Sequence, residues 1–107
     1  MQIRISARHG QLSDALQQYI HQKAEKLLRY FGRLTSIEVT VDLKDAIKEV
    51  EFRVDAEHKH DFIARERNGD VRAAVDLIIE KLEQQIKRYK GKVQDHRRNP
   101  AMGDIPE

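Results

Sequence analysis

The stretch from Asp70 to Lys92, DVRAAVDLIIEKLEQQIKRYKGK, leaves this chain few ways to fold. Val71, Ala74, Val75, Ile78, Leu82, Ile86 and Tyr89 recur at helical spacing and fall on one apolar stripe. A helix with a single such stripe must dock on another layer, and the alternating segments upstream supply one. At about 100° per residue, Lys81, Gln84, Gln85, Arg88 and Lys92 gather on one flank of the stripe. The rod therefore docks on a core and shows a ladder of cations and amides, groups that suit a phosphate backbone.

Gln2–Ala7 alternates, with Ile3, Ile5 and Ala7 on one face, and reads as a strand. Ser13 is placed to cap the next helix, with Asp14 in its first turn. Leu16, Ile20, Ala24, Leu27 and Phe31 carry that helix to Gly32, expected to be its left-handed stop. Ile37, Val39, Val41 and Leu43 mark a second strand; Val50, Phe52, Val54 and Ala56 mark a third. Lys44–Lys48 and Glu57–Asp61 read as turns, and Phe62 and Ala64 open a fourth strand that ends near Asn68-Gly69. Asp70 then caps the long helix.

The order β-α-β-β-β-α predicts an α+β fold, one four-stranded mixed sheet with two helices packed on one face. Strands one and two flank a crossover and are expected to be parallel, joined right-handedly; the short turns make the others antiparallel. Residues 1–93 form the expected domain, and 94–107, with Pro, Gly and no periodicity, the expected flexible tail.

With 107 residues the chain has room for one core. It has no cysteine, which excludes disulfides and thiolate metal sites. It opens directly on the strand-like MQIRISA, with no apolar run of membrane-spanning length, so a cytoplasmic protein without a membrane partner is expected. The net charge of +2 hides a polarity. Residues 81–98 carry seven Lys or Arg against Glu83 and Asp95, whereas residues 36–57 carry seven acids against Lys44, Lys48 and Arg53. Such a molecule should turn one side to nucleic acid.

The open face of the sheet is expected to show Glu38, Asp42, Glu51, Arg53, Asp55 and Glu57, an acidic surface with no aromatic on which a base could stack. The helices offer the opposite. Lys23, Lys26, Arg29 and Arg33 flank the stripe of the first helix, so two neighbouring helices are expected to share a basic surface with a groove between them. His58 and His60 are spaced to share a metal on an extended segment, but lack a third ligand; a polar hairpin turn explains them better. No nucleophile triad, carboxylate pair or phosphate loop has a signature here, so neither catalysis nor a cofactor is expected.

The segments MQIRISAR, LSDALQQYIHQKAEKLLRYFGRL and GDVRAAVDLIIEKLEQQIKRYKGK resemble the ribosome hibernation-promoting factor and ribosome-associated inhibitor family over about residues 1–93. The most specific matches are K-x-x-K-L-x-x-Y-F from Lys23 to Phe31 and the D-x-x-A-A-[IV]-D…KL pattern of the long helix. The resemblance implies a β-α-β-β-β-α fold and a non-enzymatic factor of stress or stationary phase. Such a factor binds the small ribosomal subunit over its tRNA and mRNA sites, through ribosomal RNA rather than DNA, and silences translation. Lys23, Lys26, Arg29, Lys81, Arg88 and Lys92 match the family's basic positions. Two departures stand out: Val71-Arg72 replaces the family's usual Met-Tyr, and Gln84 stands where relatives can carry Arg. The absence of room for a second domain and a mixed tail imply the short, hibernation-promoting type that favours ribosome pairing, a monomer when free. Two other readings compete with it: a protein-interaction module acting through the acidic sheet face, and a metal-dependent hydrolase built on His58 and His60.

Overall fold

A computed structural model describes the backbone of residues 2–57 and 60–98, and their side chains except at Tyr30 and 91–98. The elements are β1 (Gln2–Arg8), α1 (Asp14–Tyr30), β2 (Leu34–Asp42), β3 (Lys48–Ala56), β4 (His60–Asn68) and α2 (Val71–Arg98). The strands lie in the order β1-β2-β3-β4, with β1 parallel to β2 and the other pairs antiparallel. The fold is the α+β arrangement that the alternation predicts.

Period-two alternation buries one face of each central strand: Val39, Val41, Val50, Phe52 and Val54 are fully covered. The helices lie over this face, α1 against β1 and α2, and α2 against β3 and β4. Ile20, Ala24 and Leu27 of α1 meet Ala74, Val75, Ile78, Leu82 and Ile86 of α2 in the same core. Each large aliphatic side chain withdrawn from water there contributes about 1.5–3 kcal/mol before entropy is subtracted.

The ends of the elements show where side chains overrule pattern. Ser13 Oγ accepts the Leu16 N–H at 3.2 Å, and Asp70 Oδ1 accepts the Arg72 N–H at 3.0 Å, so both helices start on the expected caps. Gly32 is not the left-handed stop. Helix α1 ends because Phe31 turns extended (φ −138°) and drives its ring into the core, where it is 6% exposed. Positive φ occurs instead at His9 (φ 61°), whose Nδ1 donates to Asp42 Oδ1 at 2.9 Å, and at the following Gly10. Strand β2 starts at Leu34 rather than Ile37, because a register shift at Leu34–Ser36 breaks the alternation there. Helix α2 continues to Arg98, about 42 Å in all, five residues past the point where the apolar period fails. Residues 94–98 of the segment expected as a tail are thus helical, and 99–107 lie outside the described residues.

Candidate nucleic-acid interface

The ladder on α2 divides into two kinds of residue. Strand β4 ends the sheet, so its outward carbonyls have no strand partner. Lys81 Nζ donates to Arg65 O and Gln85 Nε2 to Ile63 O, each at 3.2 Å, and Lys81 also pairs with Glu66. The spacing fits: four residues of helix rise about 6 Å, and two residues of strand about 6.8 Å. These two side chains thus close the edge of the sheet. Gln84 and Arg88 are left exposed and uncommitted among the described residues, and Lys92 lies on the same helix with its side chain outside them.

On α1, Lys26 and Arg29 are exposed, and Arg33 lies exposed in the turn after the helix rather than on it. Lys23 leans towards α2, 3.7 Å from Asp76 Oδ1. The single basic groove expected between the helices is not what forms. Asp76 and Lys81 stand about 140° apart around α2, so the ladder faces β4 while another flank faces α1. That second flank carries Arg72, Asp76 and Lys90, whose ammonium is 5.5 Å from the centre of the Phe31 ring. The cations accordingly occupy two flanks of the helical layer, one on each side of α2.

The open face of the sheet is not the acidic surface expected either. Acids do line its centre: Glu38 and Asp42 on β2, Glu49, Glu51 and Asp55 on β3. The outer strands answer them with Arg4 and Arg8 on β1 and Arg65 and Arg67 on β4. Arg65 lies opposite Glu51 in register and meets its Oε2 at 3.1 Å, and Arg53 reaches Asp61 Oδ2 at 3.3 Å. An open groove of about 460 Å³, lined among others by Arg8, Glu38, Glu51, Arg53 and Arg65, is charge-mixed. Glu57 lies beyond the end of β3. Phe52 and Phe62 point inward, buried, so the face lacks a stacking platform as expected.

Sequence reading missed the polar cluster where the helices meet. Tyr19 Oη donates to Asp76 Oδ1 at 2.5 Å, and the Lys23 ammonium and the Arg72 guanidinium carbon each lie 5.3 Å from the centre of the Tyr19 ring. A separation of 57 residues hides this from any local pattern. The hydrogen bond to Asp76, then burial, push the Tyr19 phenol above the ordinary tyrosine value. Because the folded pKa exceeds the unfolded one, this stabilisation is complete below about pH 10 and is lost as pH rises through the folded value. Ultraviolet titration should show a phenolate component that appears above pH 10 and is missing in Tyr19→Phe; its appearance at the free-tyrosine pKa would contradict the bond.

His60 is occupied by packing. Its ring stacks on Tyr89 at 4.3 Å and 21°, next to Phe62. Among the described residues no group of three His, Asp or Glu side chains is placed to hold a metal ion, and His58 lies outside them. Among those residues no helix is long and apolar enough to cross a membrane.

Comparison with known proteins bears on the family and the fold. The model of the family described as Sigma 54 modulation protein / S30EA ribosomal protein matches residues 3–94. A ribosome hibernation promoting factor of Azotobacter vinelandii is 28% identical over 106 residues, 99% of this chain and 98% of the relative. A ribosome hibernation promotion factor of Staphylococcus aureus is 34% identical over 109 residues, 87% of this chain but 49% of the relative, so the chain spans about half of that protein. The N-terminal domain of Protein Y from Thermus thermophilus superimposes with a TM-score of 0.74 at 28% identity, over 83% of this chain and 99% of that one. A ribosomal subunit interface protein from Coxiella burnetii shares the fold, with a TM-score of 0.77 at 23% identity, over 85% and 99% of the two chains.

Proposed function

Because the chain belongs to the Sigma 54 modulation protein / S30EA ribosomal protein family, we propose that it is a cytoplasmic ribosome hibernation factor. It is a binding protein rather than an enzyme. In this reading it docks on the small ribosomal subunit over the tRNA and mRNA channel and inhibits translation under stress or in stationary phase. The contact is to ribosomal RNA, through basic residues of both helices. In the same reading it favours ribosome pairing.

The observation that carries this reading is the contrast between the two faces. The helical layer offers exposed Lys26, Arg29 and Arg88 on rigid rods, while the sheet face neutralises its own charges across strands. Cations on fixed rods follow a folded RNA backbone by shape, releasing counterions as they bind, with little reading of bases. The relatives named as hibernation factors point the same way.

Co-sedimentation with isolated subunits tests it. The protein should pellet with small subunits and not with large ones, and its affinity should fall roughly 100-fold between 50 and 200 mM salt if about five phosphates are contacted. Equal binding to both subunits, or binding indifferent to salt, would remove the proposal. Gradients of stationary-phase lysate with and without the protein, scored for the ribosome dimer peak, decide the pairing.

A further inference from the structure

We propose that Lys23 and Arg72, which meet at Tyr19 where α1 faces α2, form a second phosphate-binding point for RNA, with Asp76 as the acid that limits its strength. The inference rests on the RNA-binding reading above and adds a site on the other side of α2 from Lys81 and Arg88.

Arg72 stands in the first turn of α2, exposed, and among the described residues no carboxylate lies within 4.0 Å of its guanidinium. What holds it is the Tyr19 ring, 5.3 Å away. A guanidinium steadied by a ring keeps its N–H edge available for a phosphate fork, and it cannot be neutralised by loss of a proton. Lys23 approaches the same ring from the neighbouring helix, also at 5.3 Å, with its side chain one-third exposed. Two cations from two helices thus share one aromatic support.

The phenol is spent on Asp76, which fixes both the ring and the carboxylate. Asp76 stays half-exposed (51%) and 3.7 Å from the Lys23 ammonium, so it offsets part of the charge an incoming phosphate meets. The resemblance noted above implies tyrosine at position 72, and Arg72 supplies here a charge that a phenol does not.

The opposing roles of Arg72 and Asp76 make the test sharp. Binding of purified small subunits is measured across 50–200 mM salt for Arg72→Ala, Arg72→Lys and Asp76→Asn, with thermal melts of each. Arg72→Ala should weaken binding several-fold and lower the slope of log affinity against log salt by about 0.7–0.9, the share of one phosphate contact. Arg72→Lys should restore the slope, because the point charge remains. Asp76→Asn should lower the melting temperature by loosening the Tyr19 bond, yet tighten RNA binding. A purely structural cluster would move both quantities in the same direction. An unchanged slope in Arg72→Ala, or weaker binding in Asp76→Asn, overturns the site while leaving the wider function standing. Salt-insensitive binding by the unaltered protein would instead overturn the wider function, and this site with it.

Discussion

Phe52→Ala should cost about 3–5 kcal/mol, a large part of the roughly 5–15 kcal/mol that holds a domain of this size together. The ring is fully buried in β3, paired with Val39 of β2 on one side and Ala64 of β4 on the other. Both pairings put side chains on the face that the helices cover, so the lost volume lies between the sheet and the helical layer. Central strands relax little, and most of the cavity should persist. The expected drop in melting temperature is roughly 15–30 °C, with the urea midpoint falling while the slope holds. Ile63→Ala serves as the control. Ile63 is aliphatic and also lies in the sheet, but it is 46% exposed on the open face, and its loss should cost less than about 1 kcal/mol. Similar costs at the two positions would mean that the faces of the sheet are assigned wrongly.

That difference between Phe52 and Ile63 is also the measure of what local pattern can reveal. Alternation and helical period reach the core because burial acts on every second or every third to fourth residue. They therefore identify Val39, Val50 and Phe52 in the sheet and Ile78, Leu82 and Ile86 in α2 without help from tertiary structure. Features set by contacts between distant segments stay hidden. On β2 and β3 alone the sheet face is acidic; only the strand order brings Arg4 and Arg8 from one edge and Arg65 and Arg67 from the other around those acids. Residue type makes Gly32 a helix stop, yet the helix ends as Phe31 turns extended and buries its ring. The period fails after Val93, but the helix continues to Arg98.

The ladder itself shows the same limit. Helical spacing groups Lys81, Gln84, Gln85 and Arg88, but does not say which neighbour they face. A flank that meets the last strand of a sheet has work to do there, closing backbone groups that would otherwise invite another strand. Two of the rungs, Lys81 and Gln85, do this. The same reach explains why an amide serves as well as a cation at position 85: a carbonyl needs a donor, not a charge.

Charge reversal at Lys81 and Arg88 together should abolish detectable association with small subunits, a loss of roughly 100-fold or more at 0.1 M salt. Each change removes one cation whose counterion release favours binding and adds one charge that the RNA repels. The two positions are not equivalent, however. Arg88→Glu alters an exposed side chain with no partner among the described residues, so it should weaken binding about tenfold, lower the salt slope and leave the melting temperature nearly unchanged. Lys81→Glu sets a carboxylate against Glu66 and withdraws the donor from Arg65 O, so it should lower stability as well as affinity. Lys81→Ala with Gln85→Ala separates the two roles. It should bare the β4 edge, speed amide exchange along β4 and promote self-association at high concentration, while Arg88 keeps much of the subunit affinity. If the doubly reversed protein still pellets with small subunits as the unaltered protein does, this flank of α2 is not the RNA-binding surface, and the edge seal alone would account for Lys81.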